Sequence, residues 1–176
     1  SGPVTLAGAG AVGNAEILAG IVINQALEPG RPCLHNLGLA HVFDMRTAIA
    51  VTGGPENALL GAAGAQLAAY HGLPSASWAS TESMTEDSQA AAEFTLVALA
   101  HAMAGVNIIW GVGQLETQRA ISLCQGVIDD EIAQAVLRIQ RGIEVDSDTL
   151  AEEVIARRGR SADYLAHDVA ALDRHF

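Results

Sequence analysis

The sequence predicts an α/β fold of parallel strands joined by crossover helices, and three observations predict it. Short apolar runs alternate with longer segments of helical spacing, four times in succession. Half of the 176 residues are apolar while aromatics make up only 4%, so Ala, Leu, Val and Ile must do the packing. An all-β sandwich draws more heavily on Tyr, Trp and Thr. Finally, 18 glycines allow close approach between layers. The length suits one domain with a sizeable core and is short for two.

Each element follows from local signals. Pro3-Val4-Thr5-Leu6-Ala7-Gly8 reads as a buried strand. Residues 14–27 place Ile17, Ile21 and Leu27 at helical spacing, and Glu28-Pro29-Gly30 stops them. Pro32-Cys33-Leu34-His35-Asn36-Leu37 is a second strand, followed by a polar loop holding Asp44-Met45-Arg46. An Ala-rich helix is expected over 55–70, with Pro55 in its first turn and Gly72 past its end. Pro74-Ser75-Ala76-Ser77-Trp78 is a third strand. Thr85 is the expected cap of the next helix, which runs to Gly105, with Glu86 and Asp87 complementing its dipole. Val106-Asn107-Ile108-Ile109-Trp110-Gly111 is the fourth strand. Asp129, Asp130 and Glu131 then open a helix striped by Ile128, Ile132, Ala135, Val136 and Ile139 and closed by Arg138 and Arg141. A last helix is expected over 147–158, with short helix and loop to Phe176. This divides the chain into an α/β part over 1–142 and a helical tail over 143–176.

Two architectures share this pattern. One is an open doubly wound sheet; the other is part of a (β/α)8 barrel, which typically needs ~250 residues. Four units reach at most half a barrel. The pattern alone favours the open sheet.

Charge and composition exclude several classes. There are 9 basic residues, all arginine, against 20 acidic ones, a net charge of −11. With no lysine, neither a Schiff-base lysine nor a phosphate-loop lysine can come from this chain. Nucleic acid and anionic membranes are poor partners for such a charge, whereas a cationic ligand suits it. Cys33 and Cys124 show no metal spacing and read as small buried hydrophobes in a reducing cytoplasm. No unbroken apolar run reaches the ~18 residues of a membrane span, and no signal peptide opens the chain.

Gly8-Ala9-Gly10-Ala11-Val12-Gly13 is a literal GxGxxG between a predicted strand and a helix. The acid that should hold a ribose about 20 residues further on is missing, because the second strand ends in Asn36-Leu37-Gly38. Dinucleotide binding is disfavoured. The loops after the strands are richer, and ligands sit beyond the carboxyl ends of parallel strands. They hold Asp44-Met45-Arg46-Thr47, then Thr81 to Gln89, then Gln114-Leu115-Glu116. Glu82, Asp87, Gln89 and Glu116 are therefore candidates, although Asp87 also suits a helix's first turn. His35 reads first as a core histidine; the remaining histidines considered show no metal spacing, and no GxSxG is present. Trp78 and Trp110 end strands, where they could face a quaternary ammonium or simply pack.

Several segments together resemble a known family. In order they are PVTLAGAGAVGNAEILAGIVINQALEPGRP, FDMRT, GGPENALLGAAGAQLAAYHGLP, TESMTEDSQAA, GVGQLET, VIDDEIAQAVLRIQRGIEVDSDTLAEEVI and DYLAHDVAALDRHF. This is similar to the carboxyl-terminal part of the trimethylamine methyltransferase family, over nearly the whole chain. The resemblance implies about half of a TIM (β/α)8 barrel with a helical C-terminal extension, and it overrules the open sheet. It also implies transfer of a methyl group from a methylated amine to the cobalt of a separate corrinoid protein. Some members carry pyrrolysine shortly before the stretch matching Thr81-Glu82-Ser83, where this chain has ordinary Trp78-Ala79-Ser80. The resemblance thus points to the pyrrolysine-free branch, acting on quaternary amines such as glycine betaine. The family's usual Asp-Ser-Lys reads Glu82-Ser83-Met84 here, a departure that bears on the substrate. Such chemistry asks for a cation site of carboxylates and aromatics with little acid–base work. The candidates are Glu116 and Glu82 as the reacting-site carboxylates and Trp78 beside them. His35, Asp44, Arg46 and Gln89 are the positioning groups, with Arg46 a possible partner for a betaine carboxylate. The implied partners are a corrinoid protein and either the remaining half of the barrel or a second copy.

Overall fold

The structure, a computed structural model, describes residues 2–38 and 41–158. It opens with a helix where the sequence predicted a strand. α1 spans Leu6–Leu27, capped by Thr5, whose hydroxyl accepts from the Gly8 amide at 3.2 Å. Pro3 and Thr5 are start signals for a helix, and a short apolar run cannot by itself distinguish strand from helix. The GxGxxG motif lies inside this helix, so its amides serve the Thr5 cap and the helix's own bonds and not a strand-to-helix phosphate turn. Gly13 has a packing reason: a Cβ there would meet Leu37 Cδ1 at 2.4 Å. Among the described residues α1 is also the one helix long and apolar enough to cross a membrane, by length and composition. Its glycines, Asn14 and Glu16 break the apolar run but leave a mean hydropathy of 1.7.

The remaining elements follow the predicted alternation, with two hairpins added. In order they are β1 (His35–Asn36), β2 (Val42–Asp44), β3 (Ile49–Val51), α2 (Pro55–Tyr70) and β4 (Ser75–Trp78). Then come α3 (Ser88–Met103), β5 (Ile108–Trp110), β6 (Gln114–Leu115), β7 (Ala120–Ile121), α4 (Leu123–Arg141) and α5 (Glu152–Arg158). β1, β4 and β5 form a parallel sheet in that order, with His35 opposite Ser75 and Trp78 opposite Trp110. Three described strands are parallel rather than the four expected. β2–β3 and β6–β7 are antiparallel hairpins inserted after β1 and β5.

The helices line up along one layer. α1 touches α2, α2 touches α3 and α3 touches α4, while α2 rests on β1 and β4 and α3 on β5. A doubly wound sheet changes helix face where its strand order reverses, and the described strands β1-β4-β5 run in one direction with no such reversal. The core lies between α2, α3, α4 and the sheet, around Ala58, Phe94, Val97, Ala98, Ala102 and Val136. Small residues bring α2 close. A Cβ on Gly61 would stand 2.1 Å from His101 Nε2, and one on Gly64 would stand 2.8 Å from Leu37 Cβ.

Several boundaries differ from the sequence reading, each for a local reason. Asp87, not Thr85, caps α3, its carboxylate accepting from Ala90 N at 2.9 Å. α4 begins at Leu123, so Asp129 to Glu131 lie within the helix instead of opening it. Buried Asp129 accepts from Gly113 N at 2.8 Å and from Gln125 Nε2 at 2.7 Å. Neither cysteine is fully buried: Cys33 is half-buried and Cys124 exposed. The described residues fall into two compact units, one ending at Arg141 and the other beginning at Gly142. In the second, a turn built on the Asp146 carboxylate replaces the first part of the expected helix, leaving α5 over Glu152–Arg158. The expected tail to Phe176 lies outside the described residues.

Candidate functional site

The three segments that follow β1, β4 and β5 meet beyond the carboxyl ends of those strands. Thr117 N donates to Thr81 O at 3.0 Å and Glu116 N to Ser83 O at 2.8 Å, which ties the β6–β7 hairpin to the loop after β4. Thr117 Oγ1 reaches Ala50 O of the β2–β3 hairpin at 3.5 Å. Between them lies a cleft of about 380 Å³. Its walls are Asp44, Thr47, Ile49, Ala50 and Val51 from the first hairpin, Glu82, Met84 and Gln89 from the second segment, and Glu116, Thr117 and Arg119 from the third.

Three carboxylates therefore face one space, each held differently. Glu82 Oε1 accepts from Thr52 N, from Thr52 Oγ1 at 2.8 Å and from Gly53 N at 2.7 Å. None of these bonds uses Oε2. Asp44 belongs to its own turn, accepting from Arg46 N at 2.9 Å and Thr47 Oγ1 at 3.0 Å. Glu116 pairs with Arg119 at 3.7 Å, a long and partly solvated contact. Glu116, Thr117 and Gln118 adopt φ of 51°, 53° and 73°, three successive non-glycine residues in the left-handed region. Each such residue costs on the order of 1 kcal/mol, and runs of them persist only where surrounding bonds hold them. Here the two amide bonds to the β4 loop do so.

The structure gathers Glu82, Glu116, Asp44 and Gln89 at this cleft and leaves the other predicted residues elsewhere. Arg46 is exposed in the β2–β3 turn and does not line the cleft; Arg119 does. Trp78 is only 1% exposed, its Nε1 donating to Gln114 Oε1 at 2.7 Å and its ring stacked on Trp110 at 5.5 Å. It packs inside the core, and among the described residues no aromatic side chain lines the cleft. His35 is fully buried, with Nε2 2.9 Å from Asn14 Oδ1 of α1. Burial, then the charge of His71, hold its imidazole below the usual range. Asp87 is consumed by capping. Sequence reasoning missed Arg119, whose signal is its spacing of three from Glu116 within the same loop. Among the described residues no group of three or more His, Cys, Asp or Glu is set to hold a metal ion.

Fold and site together define a parallel α/β protein with a small cleft at the carboxyl ends of its strands, lined by three carboxylates and one arginine. Comparison with known proteins makes this more particular. The family model for trimethylamine methyltransferase (MTTB) matches residues 1–174, and the chain belongs to that family. It is 39% identical over 167 residues to trimethylamine methyltransferase MttB of Methanosarcina thermophila, covering 94% of this chain and 34% of that protein. Similarity extends to glycine betaine methyltransferase of Desulfitobacterium hafniense (strain Y51), at 37% over 167 residues, 94% of this chain and 35% of the relative. MttB of Desulfitobacterium hafniense (strain DSM 10664 / DCB-2) is 35% identical over 168 residues. The chain spans about a third of the length of these curated relatives.

Proposed function

We propose that this chain supplies the carboxyl-terminal half of a TIM-barrel methyltransferase that takes a methyl group from a quaternary amine of the betaine type. The observation that carries the reading is the convergence of Glu82, Glu116 and Asp44, from three different loops, on one cleft beyond parallel strands. What supports the barrel is the consecutive strand order with neighbouring helices in one layer. The acceptor is a corrinoid carried on a separate protein, which supplies the methyl-accepting cobalt. A cleft of 380 Å³ suits a small amine, so that group must come to the mouth of the cleft on its own carrier.

The chain's own residues then have a limited task. Glu82 and Glu116 balance the ammonium charge, with Asp44 and Gln89 fixing its position. Ile49, Val51 and Met84 offer aliphatic surface to the N-methyl groups in place of an aromatic cage. Met84, where the family's usual residue is lysine, leaves that surface uncharged. Arg119, released from its long contact with Glu116, takes the carboxylate of a zwitterion in the role first given to Arg46. Ordering of the methyl donor, not proton transfer, is the contribution.

Open edges on β1 and β5 favour a second element of the reading: the remaining strands, from the rest of a longer protein or another copy, close the sheet. Free thiols at Cys33 and Cys124 suit a reducing compartment such as the cytoplasm. Calorimetry tests the cation site, comparing glycine betaine and tetramethylammonium with a neutral tert-butyl isostere. The cations are expected to bind and the isostere not. Glu116→Gln and Glu82→Gln should each weaken binding by roughly 1–3 kcal/mol, the scale of a charge-assisted contact. Equal affinity for the isostere would remove the cation site.

A further inference from the structure

We infer that Glu93, on the second turn of α3 and outside every motif in the sequence, is the positioning residue of the cleft and acts through Glu82. The inference deepens the cation-site reading and rests on it for the function of Glu82. Glu93 Oε2 accepts from the Glu82 backbone amide at 2.9 Å and from Thr81 Oγ1 at 2.6 Å. Its other oxygen accepts from Gln89 Nε2 at 2.9 Å. One carboxylate thus fixes two of the residues that line the cleft, Glu82 and Gln89. It serves no capping purpose, because Asp87 already caps α3.

The opposite end of Glu82 is fixed by the same neighbourhood. Glu82 Oε1 is bound by Thr52 and by Gly53 N, and Gly53 packs directly on Glu93. A Cβ at Gly53 would stand 2.7 Å from Glu93 Cβ and 2.6 Å from its Oε2, so only glycine lets the two segments approach this closely. Glu82 is therefore held from its backbone by Glu93 and from its carboxylate by the 52–53 amides. Removing the first hold frees the residue to leave the second.

Amide resonances of Thr52 and Gly53 in the full chain report this without any ligand. In Glu93→Ala they are expected to move, and to lose exchange protection, in the direction seen in Glu82→Gln. Glu93→Gln, which keeps one acceptor oxygen and the side-chain length, should restore part of the wild-type position and serves if the alanine variant does not fold. Thr52 and Gly53 signals that stay at wild-type positions in the folded variants would overturn the inference. Tetramethylammonium calorimetry provides a second arm. Glu93→Gln should weaken binding about tenfold alone and add nothing in a Glu82→Gln background. Losses that simply add would show Glu93 acting independently of Glu82, and would also overturn it. Absence of tetramethylammonium binding in the wild type would instead count against the cation site, and the amide signals alone would then decide the role of Glu93.

Discussion

His101 illustrates how a residue with catalytic chemistry is absorbed by packing. It is fully buried, with Nε2 3.5 Å from Ser77 Oγ and 3.3 Å from Asn57 O, pressed against Gly61. Burial is the larger influence and pushes the imidazole below its ordinary 6.5, against the raising effect of Asn57. The unfolded chain therefore takes up this proton before the folded one does. The stability that His101 contributes is present above about pH 6.5 and is lost as pH falls through that value towards the lower folded pKa. His35 acts in the same direction. Asp129, raised by burial, has the opposite sign and acts at lower pH, where carboxylates titrate. Urea unfolding between pH 7.5 and 5.5 should show stability falling with acid, more shallowly in His101→Gln by up to about 1.4 kcal/mol per pH unit. Identical slopes would mean that His101 is protonated alike in both states. At this scale the loops carrying chemistry were legible, since Glu82, Gln89 and Glu116 all follow strands. Which arginine lines the cleft was not, because Arg46 and Arg119 have the same loop context and only the hairpin geometry separates them.

Glycines separate the elements more sharply than apolar pattern does. α1 and α2 both carry glycine inside a helix, for different reasons. Gly20 is exposed and a Cβ there would meet nothing within 4 Å, whereas Gly61 abuts His101. Gly20→Ala should therefore stabilise the chain by about 0.5–1 kcal/mol, the ordinary helix gain. Gly61→Ala should destabilise it by roughly 1–3 kcal/mol through overpacking. Thermal melts of the two variants, moving in opposite directions, check the packing of α2 on α3. If both rise, the α2–α3 contact is looser than the structure has it. The same elements explain the misread amino terminus. A strand and the first turn of a helix look alike over six residues, and a hydrogen bond from Gly8 to Thr5 decides between them. The hairpins escaped notice for a related reason: β2, β3, β6 and β7 are two or three residues long, too short for alternation to register.

Taken whole, the molecule leaves much apolar surface uncovered. Val22, Ile23 and Leu27 of α1 are exposed, as are Leu34 before β1 and Ile108 on β5. Among the described residues both β1 and β5 are sheet edges, where backbone groups face outward from the ladder. Burying one such side chain stabilises by ~1.5–3 kcal/mol, a large share of a typical net stability of ~5–15 kcal/mol. Association that covers α1 and pairs the edges is accordingly expected, through further strands or a second copy. Sedimentation of the 176-residue chain at micromolar concentration should give a mass above 18.2 kDa. A cooperative melt from a strict monomer would show that this sheet is self-sufficient, and the half-barrel reading would be lost.

The sequence by itself determined the alternation of strand and helix, the acidic, lysine-free character, the family and the three loops that carry polar chemistry. These depend on local spacing, composition and order, which a chain displays without folding. Tertiary structure alone decided that α1 is helical from Leu6, that Trp78 and His35 are packed away, and that Arg119 and not Arg46 shares the cleft. It alone brought Glu93 against Gly53 and the Glu82 amide, joining residues 40 and 11 positions apart. Such contacts arise when loops on neighbouring strands are drawn together by burial elsewhere, and no periodicity along the chain encodes them.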